Sequence, residues 1–199
     1  MKIVLATRNK GKLHEIRSIL SEVGDYEVLS LLDFSDIPKV NEDRFTYAGN
    51  AIKKASTIAK LKGIPTLADD SGLEVDALDG DPGVRSARFA GLEASYKDNN
   101  RKLLKMLEGI PQDKRTARFQ CAMAFVKPSG WIEVTTGTYE GVIISKPRGD
   151  NGFGYDPLFY VPHIGKTFAE LTSDEKNQIS HRRIALEKMK RILPCVIST

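Results

Sequence analysis

The stretch Lys2–Leu20, KIVLATRNKGKLHEIRSIL, decides the fold class. Lys2 to Ala6 is an apolar run of strand length. From Lys12 to Leu20 the pattern changes to a helix, because Leu13, Ile16 and Leu20 recur at helical spacing and share one face. The polar turn TRNKGK, Thr7 to Lys12, lies between them. A strand, a tight polar turn and a helix open an α/β architecture, and they aim backbone N–H groups and a helix N-terminus at an anion.

The rest of the chain extends this alternation. Tyr26 to Leu29 reads as a short second strand, and Leu32 to Asp43 has turn composition with Glu42 near its end. Thr46 is placed to cap a helix running to about Leu61, with Ala51, Ala55, Ile58 and Leu61 inward; Gly63 and Pro65 stop it. Thr66 to Asp69 is strand-like, and the spacing predicts that it delivers LADDSG, Leu67–Gly72, to the end of an element. Asp79 to Gly91 is loop chemistry, and Ser95 caps a helix carrying Leu103, Leu104 and Leu107. Arg115–Val126 and Trp131–Ile144 alternate as two long antiparallel strands joined by Lys127-Pro128-Ser129-Gly130. A Gly- and Asp-rich loop over 147–157 precedes a strand Leu158–Val161. A last helix starts after Ser180, with Ala185, Met189 and Leu193 on one face. There is no internal repeat or linker, so residues 1–199 read as one α/β domain with a mixed sheet.

Composition narrows the class. The 199 residues are 41% hydrophobic and 28% charged, as in a soluble globular protein. No apolar run approaches the roughly 20 residues needed to cross a bilayer. MKIVLATRNK has too short an apolar stretch for a signal peptide, and Cys121 and Cys195 are too few for a disulfide framework or a zinc site. A cytoplasmic location and no membrane partner are therefore expected. The net charge of +4 is spread along the chain, which suits a small phosphorylated ligand better than a nucleic acid.

Four clusters could carry chemistry. Thr7, Asn9 and Lys12 offer a hydroxyl, an amide and an ammonium to a triphosphate; taken alone, a merely capped helix start with solvated lysines explains them better. Asp69, Asp70 and Ser71, with Glu42 as a third carboxylate, are costly to bury unless something cationic sits on them. That cation is a lysine, an arginine or a magnesium ion, whose preferred ligands are oxygens; a turn rich in Asp, Ser and Gly is the plain alternative. Phe153-Gly154-Tyr155-Asp156 offers a stacking face and an acceptor to a base, or else a glycine turn with two core aromatics. Ser180-His181-Arg182-Arg183, with Lys176 just before, puts cations at a helix start against the helix dipole, for which a bound anion is one reason. Otherwise only Ser180 matters there, as the cap. Taken together the four supply metal ligands, phosphate cations, a base platform and a head-group reader.

With these residues in view, the chain resembles the inosine/xanthosine triphosphate pyrophosphatase family over nearly its whole length. The likeness rests on VLATRNKGKLHEI, FTYAGNAIKKA at Phe45–Ala55, LADDSGLEVDALDGDPGVRSARFAG at Leu67–Gly91, GFGYDPLF at Gly152–Phe159 and SHRRIAL at Ser180–Leu186. It implies an elongated central mixed β-sheet with flanking helices, two lobes with the active site in the cleft between them, and a homodimer. It also implies hydrolysis of ITP, dITP and XTP to the monophosphate and pyrophosphate with Mg2+. Carried over, Thr7, Arg8, Asn9, Lys10, Gly11 and Lys12 bind the triphosphate. Asp70 is the proton acceptor and a metal ligand, Glu42 the other ligand and Asp69 its support. Ser71 contacts substrate, Phe153, Gly154, Tyr155 and Asp156 hold the base, and Lys176, His181 and Arg182 read the head group and phosphates. Two departures stand out: Gly49 replaces a usual glutamate, and Asn41-Glu42 replaces paired acids. A pyrophosphatase for modified pyrimidine nucleotides and a non-enzymatic RNA-binding module are the rival readings.

Overall fold

The computed structural model describes residues 2–21 and 26–197, with side chains described to residue 193, so the Cys195 side chain lies outside the described residues. The strands are β1 (Lys2–Leu5), β2 (Glu27–Ser30), β3 (Thr66–Val75), β4 (Thr116–Val126), β5 (Ile132–Ile143), β6 (Phe159–Val161) and β7 (Lys166–Thr167). The helices are α1 (Lys10–Ser21), α2 (Tyr47–Lys62), α3 (Tyr96–Met106), α4 (Ser173–Ile179) and α5 (His181–Ile197). All seven strands join one mixed sheet in the order β2-β1-β3-β4-β5-β6-β7. β1 is parallel to β2 and β3, while β6 is antiparallel to β5 and β7. The backbone bonds Lys127 N–H to Trp131 O and Ile143 N–H to Arg115 O close the expected β4–β5 hairpin. Among the described residues no helix is long and apolar enough to cross a membrane.

The chain divides into two compact units. The first comprises Met1–Asp70, Cys121–Gly137 and His181–Thr199; the second comprises Ser71–Gln120 and Thr138–Ser180.

In the first unit, strand alternation sorts residues onto two faces. Ile3, Leu5 and Leu67 pack with Leu13 and Ile16 of α1 and Ala185 and Met189 of α5. Val4, Ala6 and Ala68 pack instead with Ala51, Ala55 and Ile58 of α2. Parallel strands covered on both faces must be apolar, and Ile3, Val4 and Leu5 are, while Lys2 lies exposed at the strand's start. Thr46 caps α2 by accepting from the Gly49 N–H, and Gly63 ends it at φ 64°. Leu61 is not inward as expected: it is 48% exposed, and Ala59 takes the buried place four residues beyond Ala55.

Two further expectations change. LADDSG does not end an element, because β3 runs unbroken to Val75. The TRNKGK turn is shorter than read, because Asn9 accepts the Lys12 N–H on its side chain (3.1 Å) and the Leu13 N–H on its carbonyl (2.9 Å), starting α1 at Lys10.

The second unit has its own core, in which Leu73, Val75, Phe119, Phe159 and Phe168 meet Leu103 and Leu107. The sequence reading had neither β7 nor α4. The latter is a seven-residue helix held by a reciprocal Thr172–Glu175 capping box.

Gly137 fixes the start of α5. A Cβ there would stand 2.1 Å from the His181 carbonyl oxygen and 2.6 Å from the Ala185 nitrogen, both backbone atoms that cannot swing aside. Gly137→Ala is therefore expected to lower stability by about 1–3 kcal/mol through overpacking. Urea unfolding reads this directly, and an unchanged midpoint would refute the close approach.

Candidate functional site

Asp69 and Asp70 are neighbours on β3, so their side chains leave opposite faces of the strand. Asp69 follows Leu67 toward α1 and α5. Its Oδ2 accepts from Lys12 Nζ at 2.8 Å and from Arg182 Nε at 3.2 Å. Arg182 also donates from a terminal nitrogen to Glu15 Oε2 at 2.7 Å. Lys12 and Glu15 lie three apart on α1, on one helix face, so one helix supplies both a cation and an anion to the cluster. Asp69, Arg182 and Glu15 are all at most 4% exposed. Burial opposes ionisation of Asp69, but Lys12, Arg182 and Lys54 outweigh it and hold the carboxyl well below the usual range.

Asp70 follows Ala68 toward α2 and meets a different environment. Its Oδ2 accepts from the Asn50 amide at 2.9 Å, and Asn50 is fixed in turn by accepting the Arg44 N–H at 2.9 Å. One turn after Asn50, Lys54 donates to the Glu42 carboxylate and, at 2.6 Å, to the Asp69 carbonyl. Burial pushes Asp70 above the ordinary aspartate value, and Glu42 adds to that; Lys54 and Lys12 only partly offset it. Glu42 is itself held low, because Lys54 overcomes its burial.

Four carboxylates, of Glu15, Glu42, Asp69 and Asp70, thus face three side-chain cations, of Lys12, Lys54 and Arg182. The excess negative charge adds to the effect of burial on Asp70 through Glu42, and it suits a further cation. Among the described residues, no group of three or more His, Cys, Asp or Glu side chains is gathered as a preformed metal cage. A divalent ion held by two carboxylates, with waters and phosphate oxygens as its other ligands, is the form that magnesium usually takes. Glu42 and Asp70 fit it.

The residues expected to read phosphates sit at the start of α1. The Thr7 hydroxyl accepts the Asn9 N–H at 3.2 Å and Arg8 donates to the Ile37 carbonyl, while Lys10 is exposed and Gly11 half-buried in the first helical turn. Thr7 and Asn9 thus do serve as helix-start groups, and Lys12 has a carboxylate partner.

The second unit holds the other cluster. Lys176 Nζ donates to Asp156 Oδ2 at 2.6 Å and lies 4.8 Å from the Phe153 ring centroid. The same Oδ2 accepts the Phe153 N–H at 2.7 Å, tying the turn back on itself. Gly152 makes room for this, since a Cβ there would be 2.1 Å from that oxygen. Phe153 is half-buried, whereas Tyr155 is only 4% exposed and donates its hydroxyl to the Ser86 carbonyl at 2.9 Å. Ser71 is half-buried in this unit, and Gly154 joins the two aromatics at φ 67°. His181, the first residue of α5, is buried in the first unit.

Sequence reading missed Glu15, Asn50 and Lys54. Glu15 carried a signal, as a charged residue beside Ile16 on an apolar helix stripe. Asn50 and Lys54 lie four apart on α2 and had only family likeness to mark them.

Replacing Asp69 by Asn leaves the buried Arg182 and the half-buried Lys12 without their shared carboxylate, so a loss of about 3–5 kcal/mol at neutral pH is expected. Asp69's folded value is depressed, so its contribution is complete above the unfolded value of about 3.9 and fades as pH falls toward the folded one. The gap between wild type and D69N in urea titrations should therefore narrow below about pH 4. A gap independent of pH would show that the carboxylate charge is not what stabilises.

Residues 3–192 match the model of the Ham1 family. The dITP/XTP pyrophosphatase of Desulforamulus reducens is 55% identical, covering 97% of this chain and 96% of its own, and that of Geobacter sulfurreducens is 53% identical, covering 95% and 94%. Among solved structures, a HAM1 protein from Coxiella burnetii superposes with a TM-score of 0.88 at 42% identity, and the Staphylococcus aureus Ham1 protein with 0.86 at 40%; each comparison covers 98% of both chains. The chain belongs to the Ham1 family.

Proposed function

We propose that this protein hydrolyses deaminated purine nucleoside triphosphates (ITP, dITP and XTP) to the monophosphate and pyrophosphate, removing them from the nucleotide pool. The substrate class follows the dITP/XTP pyrophosphatases that it matches over nearly its full length. The observation that carries the chemistry is the split between two adjacent carboxylates, Asp69 locked on cations and Asp70 raised by burial. The homodimer and the cytoplasmic location implied by the family likeness belong to the same reading.

Asp70 is the proton acceptor for a water that attacks the α-phosphorus in line, with pyrophosphate leaving. A carboxylate whose proton affinity has been raised is a better base than an ordinary aspartate, provided that it is ionised at working pH. Asn50 holds Oδ2 and so orients the carboxylate. Lys12 and Lys54 bring positive charge to the side of the cluster where the triphosphate accumulates negative charge. The first turn of α1, from Thr7 to Lys12, presents its N-terminus to the phosphates. Glu42 and Asp70 would hold Mg2+, with Asp69 in support; the ion supplies Lewis-acid polarisation of the phosphate and a lowered pKa for the water. Arg182, expected with Lys176 and His181 to read the head group and phosphates, also pairs with Asp69 and Glu15 and so ties α5 to β3 and α1.

The base falls to the second unit's cluster. Phe153 gives the stacking face, and Lys176, held in place by its ion pair with Asp156, donates to an oxo group. Hypoxanthine and xanthine accept a hydrogen bond at position 6, where adenine presents an amine. His181 belongs to the same head-group reading.

Product analysis over ITP, XTP, GTP, ATP and pyrimidine triphosphates, with and without Mg2+, tests this proposal. ITP and XTP should yield pyrophosphate only with the metal, and ATP should be slower by on the order of 10⁴ if a polar contact at position 6 discriminates. Asp70→Asn should cut kcat by on the order of 10²–10⁴ while leaving pyrophosphate as the product. Equal turnover of ATP and ITP would defeat the substrate assignment, and a preference for modified pyrimidines would favour the rival pyrophosphatase. Near-full activity of D70N would remove Asp70 from the mechanism.

A further inference from the structure

Helix α3 begins beside the Phe153 turn of the second unit. Tyr96, its first residue, has its ring centroid 6.3 Å from that of Phe153, with the planes inclined at 36°. One turn later, Asn100 donates from Nδ2 to the Gly154 carbonyl at 3.1 Å. Residues four apart share a helix face, so a single face of α3 makes both contacts.

The start of this helix is firmly set. Ser95 accepts the Asp98 N–H at 3.2 Å on its hydroxyl, and Asp98 accepts the Ser95 N–H at 3.0 Å on its carboxylate. A capping box of this kind fixes where the next residue points. Yet Tyr96 is 45% exposed and stands outside the apolar core of its unit.

A planar base stacked between two rings holds them about 7 Å apart, twice the closest carbon–carbon contact distance of about 3.5 Å. The 6.3 Å between the centroids is an ordinary contact between tilted rings and falls short of that spacing. A base therefore enters only as the exposed Tyr96 ring turns outward, whereas Phe153 is anchored by Asp156 and Lys176.

We infer that Tyr96 is the second stacking wall of the base subsite, closing on the face of the purine opposite Phe153. Asn100 is a positioning residue that holds Gly154, and with it the Phe153 turn, beside the start of α3. This inference rests on the reading of Phe153 as the base platform. Stacking is tolerant of base identity, because every base has a π-face. Tyr96 therefore supplies affinity, and the polar groups near Lys176 supply selection.

The test compares steady-state kinetics of Tyr96→Ala, Tyr96→Phe and Phe153→Ala on ITP and ATP. Loss of one stacking ring should raise KM by about 5- to 150-fold. Y96A should show that rise with kcat little changed and the ITP-to-ATP preference preserved, while Y96F restores the wild-type KM. Because Tyr96 is exposed, Y96A should unfold at the wild-type temperature, which separates this loss from misfolding. A raised KM in F153A with an unchanged KM in Y96A would overturn the role of Tyr96 alone. An unchanged KM in both would overturn the base platform as well, and a Y96A loss confined to kcat would equally contradict a stacking role.

Discussion

An ionised Asp69 inside a buried cage of cations is the interaction on which the candidate site depends. Burying a lone carboxylate is so unfavourable that it normally takes up a proton instead. Here Lys12 from α1 and Arg182 from α5 converge on one oxygen of β3, and Glu15 balances the arginine. Such a cluster is not an efficient source of stability, because desolvation consumes most of the attraction between its members. What it provides is registry. Two helices far apart in sequence must meet one strand at one residue, and each would leave a buried charge unmatched if it shifted.

That constraint has a chemical consequence one residue later. Strand geometry turns Asp70 to the other face, where Asn50 and Lys54 of α2 and the carboxylate of Glu42 await it. Lys54 and Lys12 only partly offset the burial of Asp70, so burial dominates and its proton affinity rises. Two identical side chains, adjacent in sequence, thereby acquire different work: one anchors, the other is available for proton transfer. The carboxylate excess around them makes room for a divalent ion and would repel a phosphate chain in the ion's absence, which argues against a simple RNA-binding role.

Much of this was legible in the sequence where local and tertiary demands agree. Ile3-Val4-Leu5 is apolar on both faces because the sheet is covered on both there, and the caps at Thr46, Gly63 and Ser95 lie where their residue types predict. The reading failed where tertiary contacts override local preference. Asp-Asp-Ser-Gly has turn composition, yet β3 passes straight through it because buried cations compensate the aspartates. The Thr172–Glu175 box was visible, but a seven-residue helix is too short to show a period. Of the site residues, Asp69, Asp70 and Lys12 could be found from charge on an apolar element. The pairing of Arg182 with Glu15 and Asp69 could not, because it joins residues 167 and 113 positions apart.

The most direct test of the account is a carboxyl NMR titration of Asp69 and Asp70 in the metal-free protein, assigned with single Asn variants. Asp70 should titrate above the ordinary aspartate range, while Asp69 stays ionised to the lowest pH at which the protein remains folded. The reverse order, or two indistinguishable titrations, would contradict the division of labour between the two residues.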